Sequence, residues 1–371
     1  MRVKTLHGSF PFAVQRLGEG EEATSWLEKT AQVREGYVSE RLAELSAYYS
    51  NRLSYEDVAE LLERVTGERV LSDQTIQQRV VAEAVAVSQQ WERASATASE
   101  QVVEVRVAEQ VDWYDAAADE VLVLTDGICV KQQKPTRSRS GAPQERMLPT
   151  VRVNTEVWLV ERPGGGFAYL TAGIDAGGAE TLSGAQQVQE YIVAHYGEYS
   201  AALPVVAISD GARTIRCQLE RIFGQAVPLI LDWYHLEKKV WDLMSMIARS
   251  KAEKESHVHA LLGHLWRGRV TEALTYLRTE VVAKNQEQLT ALTTYLEKHL
   301  TEIIDYERRQ RMGKVIGSGR MEKGVDQVIG VRQKGKGMSW SAVGSKALGI
   351  LKVVELNGQW EQHWFPEQAA A

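Results

Sequence analysis

Between residues 120 and 245 the hydrophobic pattern changes period twice, and that order of elements limits the fold more than any other feature of the chain. "EVLVLTDGICVKQ" is an apolar run suited to a buried strand. "TVRVNTEVWLVER" alternates apolar and polar residues as a half-buried strand does. Pro163-Gly164-Gly165-Gly166 then turns the chain into "FAYLTAGIDA". Three strands joined this way read as consecutive and antiparallel. A helix is predicted over residues 179–196. After it, "LPVVAISDGARTIRCQLERIF" and "AVPLILDWYHLEKKVWDLM" each pass from a short apolar strand straight into a helix.

Three antiparallel strands, a helix, then two strands alternating with helices is the order of an RNase H-like α/β fold with a mixed sheet. Residues 111–235 are its first part. Residues 236–310 read as an all-helical insertion, and residues 311–371 as C-terminal helices that complete the core. Residues 1–110 read as a helical N-terminal region, with 1–35 a mostly helical or irregular arm. Within it, Ser54 caps a helix with Val58, Leu61, Leu62 and Val65 along one side, and Thr66-Gly67 ends it. Ser72 caps a second helix carrying Thr75, Ile76, Arg79 and Val80. Two short helices joined by a glycine-containing turn, about residues 50–85, form the helix-turn-helix pattern, with Gln74, Gln77, Gln78 and Arg79 as candidate DNA readers. A plain helical hairpin has the same pattern. Residues 84–110 read as a linking helix, and "KPTRSRSGAPQE" as a polar loop between the first two strands.

Two acids mark strand ends in this order. Asp126 in "VLVLTDG" and Asp210 in "VVAISDG" each follow an apolar run and precede glycine. An Asp-Gly pair after a strand is by itself most often a turn. Glu322, on a later helix, adds a third carboxylate from a distant segment. Carboxylates at a sheet edge suit Mg²⁺, which takes oxygen ligands. Two such ions can activate a water or 3′-hydroxyl and stabilise the leaving oxygen in an in-line phosphoryl transfer. In "LDWYHLEKKV", Asp232 and His235 share one face of a helix start, where Asp232 can cap the helix and His235 can pair with it. A capping aspartate with an ordinary histidine explains that pair equally well.

The net charge of -6 argues against a polyanionic partner, but the average hides an asymmetry. Residues 1–120 hold 22 acids and 12 Lys+Arg, whereas residues 308–336 hold nine Lys+Arg against Glu322 and Asp326. A phosphate backbone responds to such a local block. Arg320, Lys323, Arg332, Lys334 and Lys336 are the candidate phosphate contacts, Gly335 and Gly337 would admit a close backbone, and Trp340 is a candidate for stacking on an unpaired base. A solvated charged face and a core tryptophan are the plainer alternatives. Trp360 and Trp364 read as a core-packing pair. Cys129 and Cys217 form neither a disulfide framework nor a Cys-x-x-Cys site, which fits a reducing cytosol. No apolar run approaches the roughly 18–20 residues of a membrane span, and "MRVKTLHGSF" lacks a signal-peptide core.

Four pieces together resemble a family: "TDG" at Asp126, "SDGARTI" at Asp210, "LDWYHLEKKV", and "IGSGRMEKGVDQVIGVRQKGKGMSWS" around Glu322, with "GILKVVELNGQWEQHW" beyond. They resemble bacterial insertion-sequence transposases of the DDE type, in a group sharing an RNase H-like core with the Mutator and hAT elements, and closest to the Kra-type subgroup. The resemblance spans roughly residues 40–365. It implies a catalytic and metal-binding triad of Asp126, Asp210 and Glu322 with two Mg²⁺ (Mn²⁺ substituting). Asp232 and His235 match the accessory C/D-x-x-H motif. The implied partner is double-stranded DNA, both transposon ends and target, bound by a homo-oligomer at the nucleoid of a bacterial cytoplasm. The cysteine-rich amino terminus common in such relatives is missing. An RNase H-like nuclease without strand transfer, and a catalytically silent DNA-binding protein, share most of these features. A phosphatase loop would need a second acid where Ile128 stands. Asp232 in place of Asp210 as second metal ligand is a rival assignment.

Overall fold

Alternation sets the facing of the central sheet. In this computed structural model, residues 2–11, 13, 16–17, 24–25, 33–34, 36–99, 106–134, 151–197, 202–224 and 226–366 are described. The sheet comprises β1 (Val121–Lys131), β2 (Arg152–Glu161), β3 (Phe167–Thr171), β4 (Val205–Ser209) and β5 (Leu229–Leu231). Its order is β5-β4-β1-β2-β3. β1, β2 and β3 are antiparallel, whereas β4 runs parallel to both β1 and β5. The mixed order expected from the sequence is therefore present, and it is consistent with an RNase H-like fold.

Val121, Val123, Trp158, Val160, Val205 and Ala207 face one side, where they pack with the helices Gly184–Tyr196 and Arg213–Phe223. Their neighbours Leu122, Leu124, Val157, Leu159, Val206 and Ile208 face the other. There one continuous apolar cluster joins the sheet to the N-terminal helices, the later helices and the C-terminal segment. The helix after β3 starts at Gly184 rather than near 179, because Glu180–Leu182 first pairs with Gly173–Ile174 and Ser183 with Gln186 then forms a capping box.

The N-terminal helices are where the sequence puts them. Tyr55–Thr66 is capped by Ser54 and ended by Gly67, and Asp73–Ser99 begins with Ser72 accepting from the Thr75 N–H. The second helix is 27 residues long. It buries Ile76, Val80, Ala84 and Val87 and packs along the helix Ala342–Leu356, so it belongs to the main core. Val65, placed on the apolar side by spacing, is exposed. The arm differs from expectation. Arg2–Thr5 and Gly8–Pro11 form a β-hairpin, and Val38–Ser39 joins it, so residues 2–39 contribute strands where described. The alternation in "RVKT" and the turn before Gly8 account for that. Of the linking helix expected over residues 84–110, the part to Ser99 continues the helix Asp73–Ser99, whereas residues 106–110 are not helical and Val107 bridges to Leu203; residues 100–105 and 135–150 lie outside the described residues.

From Trp233 to Arg311 every regular element is helical. An aromatic group of Trp233, Trp266 and Tyr306 fastens this block to β5, with ring centroids 4.7–6.2 Å apart and the Tyr306 hydroxyl donating to the Leu231 carbonyl. No described helix is long and apolar enough to cross a membrane.

The tail motif "LNGQW" is structural. Asn357 Oδ1 accepts from the Tyr169 N–H (2.9 Å) and from Arg162 (3.1 Å), and Asn357 Nδ2 donates to the Tyr169 carbonyl (2.7 Å). One side chain thus completes the free edge of β3 as another strand would. Trp360 and Trp364 are both buried, as their spacing predicts. Replacing Asn357 by Ala leaves the Tyr169 amide and carbonyl without partners. It should cost about 1–3 kcal/mol of unfolding free energy, read by urea denaturation. An unchanged midpoint would mean that the edge pairing contributes nothing.

Candidate functional site

The candidate site lies where the parallel half of the sheet ends. β4 pairs with β1 only through Leu124, while β1 continues to Lys131 along β2. Asp126 therefore lies in the middle of a long strand, not at its end as the sequence suggested. It is nevertheless the second residue past the last parallel pair. Asp210 directly follows β4, so the β1–β4 register carried two residues further puts the two aspartates side by side. Carboxyl ends of parallel strands are where open α/β sheets bind ligands.

Glu322 arrives from the helix Gly319–Val325, which packs on β1 and β2. Met321 and Val325 are buried beneath it, while Glu322 is exposed. A π-helical segment, Asp326–Gly330, follows at once, and such segments are frequent at functional sites. The charges of Asp210 and Glu322 both act on Asp126. Burial is the main cause pushing the Asp126 carboxyl above its usual range. The Gly127 N–H and His235 oppose that shift, and the two neighbouring carboxylates add to it.

Asp232 holds these parts together. It is fully buried, and Oδ1 accepts from the Tyr234 and His235 N–H groups at 2.6 and 3.0 Å, capping the helix Trp233–Ile247. Oδ2 accepts from the Ser318 N–H at 2.5 Å, just before the Glu322 helix. The Asp232 amide donates to the Ser209 carbonyl, beside Asp210, and the Trp233 amide to the Ile316 carbonyl. Burial by itself would push the Asp232 carboxyl up, but hydrogen bonding with His235 and Ser318 outweighs it and the pKa is lowered. His235 Nδ1 stands 3.5 Å from Oδ2 and makes no hydrogen bond. We therefore assign the lowering to the backbone donors together with charge attraction. The pairing with Asp232 in turn raises the His235 pKa, which burial opposes and Asp210 and Asp126 reinforce. Gly317 is required here, because a Cβ would stand 2.6 Å from the Tyr234 ring.

A second layer, which the sequence reading missed, comes from the helical block. His299 is buried, with Nδ1 2.5 Å from Glu302 Oε2, and Glu302 also pairs with Arg216. The Glu302 carbonyl accepts from the Leu231 N–H. His299 lies against the turn after Asp210: Gly211 has φ +80°, and a Cβ there would be 2.4 Å from the imidazole. Burial, with the charges of Lys298 and Arg216, drives the His299 pKa down to about 4. Tyr295 is pushed up to about 12 by burial and by the charges of Asp210 and Asp232. Only the His-x-x-Glu spacing of residues 299 and 302 hinted at this layer, and it echoes the Asp232/His235 spacing.

Several predicted DNA contacts lie elsewhere. Arg332 is buried, donates to the Ser50 carbonyl and stacks on Trp340 and Tyr55. Trp340 is buried too, with its indole N–H on the Gln333 carbonyl. Both corrections have one cause: these side chains seal the C-terminal helices against the N-terminal ones. Arg309 and Lys314, counted in the basic block, are spent on Glu120. Arg320, over the Phe167 ring, and Lys323, Lys334 and Lys336 are exposed. Gln74 and Gln78 are exposed as well, whereas Gln77 is half-buried near Gly344 and Arg79 is half-buried near Gly36.

Among the described residues, no three carboxylate, imidazole or thiol groups are close enough to hold one metal ion. The donor chemistry of Asp126, Asp210 and Glu322 nevertheless fits a hard divalent cation, since it offers oxygen only. Like charges without a counter-ion stay apart, so ligation requires these side chains to turn inward. Asp232 fits less well, because both its oxygens are taken by backbone donors.

The fold and site define a mixed α/β protein with three acids from separate segments converging on one sheet end. The chain belongs to the Uncharacterised protein family UPF0236, which matches residues 181–367. No curated protein matches it. Among solved structures it is similar to "Crystal structure of a pre-cleavage Mos1 transpososome", at 15% identity over 76% of this chain and 77% of that one, with a TM-score of 0.17. That score carries nothing about the fold, which stands on the strand order.

Two outcomes test the site. Asp232→Asn keeps one acceptor oxygen and places an amide where a carboxylate received a donor, so it should cost about 1.5–3 kcal/mol. Because the folded pKa is lowered, the wild-type contribution is present above the unfolded value of about 3.9. It is lost as pH falls through the folded value, and the difference between wild type and variant should shrink there. A pH-independent difference would contradict this. Gly211→Ala should disturb the Asp210 turn and lower thermal stability, and an unshifted melting curve would show that His299 does not bear on it.

Proposed function

We propose that this protein is a DNA transposase of the DDE type, which cleaves the ends of an insertion sequence and joins them to target DNA. The observation that carries the reading is the convergence of Asp126, Asp210 and Glu322 at the end of the parallel strands. Asp126 feels the other two charges there.

Asp126, Asp210 and Glu322 would hold the divalent cations. Bound Mg²⁺ would supply charge neutralisation at the scissile phosphate and activation of water or a 3′-hydroxyl. The chain's own part is to place the acids. β1 and β4 fix the two aspartates, and the Asp232–Ser318 bond sets the start of the Glu322 helix. His235, with a raised pKa and a partly open side chain, can donate a proton to a phosphate oxygen. No serine, tyrosine or cysteine nucleophile is needed, because the attacking group is a water or a DNA 3′-hydroxyl. The working form is a homo-oligomer that pairs two DNA ends.

The test is nicking and strand transfer on DNA bearing the host element's terminal repeats, with Mg²⁺ or Mn²⁺. Asp126→Asn, Asp210→Asn and Glu322→Gln should fall to background. Asp232→Asn acts through its neighbours and should lose about 10–100-fold. Cutting without joining would make the protein a nuclease. DNA binding without either would make it a silent binding protein. A dead Asp232→Asn beside an active Asp210→Asn would reverse the assignment of the second ligand.

A further inference from the structure

At the β3 edge of the sheet, the edge away from β4 and β5, the fold leaves a cavity of about 380 Å³. That volume lies within the roughly 300–1,000 Å³ of small-ligand sites. Two helices form its walls. Gln187, Glu190, Tyr191 and Ala194 recur at helical spacing on Gly184–Tyr196, and Trp91 and Ala94 do so on Asp73–Ser99. β3 and the end of the helix Ala342–Leu356 complete the lining. Ala94 and Ala194 are small and exposed, so the space between the two helices stays open.

Three polar groups of this lining are left open by the chain. Gln187 is only 8% exposed, yet its amide nitrogen has no hydrogen-bond partner among the described residues. Buried donors are almost always paired, so this one calls for an acceptor the chain does not supply. Glu190 is half-buried and has no cationic partner among the described residues. Burial pushes its carboxyl up, and a hydrogen bond with Ser95 opposes that. Arg162 gives one N–H to Asn357 Oδ1 at 3.1 Å and has no acidic partner among the described residues. Its charge reaches Tyr191, whose hydroxyl is raised by burial. The acid and the cation line one cavity without pairing with each other. Two aromatic side chains, Trp91 and Tyr191, border the same space, and His195 backs the Tyr191 ring with centroids 4.2 Å apart.

We propose that this cavity binds an adenine mononucleotide. Adenine carries an amino donor, N6, beside an acceptor, N7, and a glutamine amide pairs with both at once. Gln187 Nε2 gains its missing acceptor at N7, and N6 donates one hydrogen to Gln187 Oε1 and the other to Glu190. Trp91 and Tyr191 give the base aromatic surface to stack on. Arg162 takes the phosphate, which its planar fork of donors matches. A hypoxanthine ring would instead turn a carbonyl oxygen toward the Glu190 carboxylate and is disfavoured. The cavity shares no residue with Asp126, Asp210 and Glu322, and the proposal does not rest on the transposase reading.

The test is isothermal titration of the full-length protein with adenosine 5′-monophosphate (AMP) in EDTA, which keeps divalent ions off the acid site. AMP should bind at one site per chain and raise the melting temperature. Inosine monophosphate, with a carbonyl in place of the amino group, should bind at least about 10-fold more weakly. Glu190→Gln removes the charge that opposes that carbonyl, so the difference between the two nucleotides should shrink. Ala194→Trp, at an exposed helix position, fills the cavity and should abolish AMP binding. Glu190→Gln keeps the shape of a half-buried side chain and preserves the test if the tryptophan variant fails to fold. A wild type that binds neither nucleotide has a cavity for water only, and that overturns the proposal. Equal affinity for AMP and inosine monophosphate overturns it as well. So does AMP binding that survives Ala194→Trp but is lost in Asp210→Asn, which places the nucleotide at the acid site.

Discussion

The buried carboxylate of Asp232 is the point on which the site depends. It terminates β5, caps a 15-residue helix and receives the amide that begins the Glu322 segment. A buried charge is tolerated only when its lone pairs are filled, and here backbone donors from two segments fill them. Its own amide binds the strand that ends in Asp210. Two candidate acids from distant segments are thus set through one residue that is not itself free to bind metal. The same fact favours Asp210 over Asp232 as an open ligand, because Asp210 is exposed and Asp232 is buried.

The helical block adds a second support. His299 presses on the Asp210 turn, and Glu302 joins β5 by its carbonyl and Arg216 by its carboxylate. A long helical segment between the last strand and the Glu322 helix therefore does more than fill a gap in the chain. It backs the turn after Asp210 and the strand β5.

The sheet was legible because its residues alternate: "TVRVNTEVWLVER" can bury one side only in one register, and "VVAIS" is buried on both. Ser54, Ser72 and Gly67 were legible because capping is local chemistry. The position of Asp126 within β1 was not, since strand length depends on the partner β2 and not on the Asp-Gly pair. The basic block misled because charge counts do not say where a side chain goes. Arg309 and Arg332 are buried and Lys314 is paired, so the cations left for a polyanion are fewer and lie elsewhere. His299 and Glu302 were invisible because their role comes from contact with residues 211 and 216, far away in sequence.

Asp126, Asp210 and Glu322 are proposed to share metal. Anomalous scattering from crystals soaked in Mn²⁺ tests it most directly. Density is expected among these three side chains, with their carboxylates turned inward and Asp232 still bound to Ser318. Density at Asp232 instead, or an ordered ion that leaves Glu322 in solvent, would contradict it.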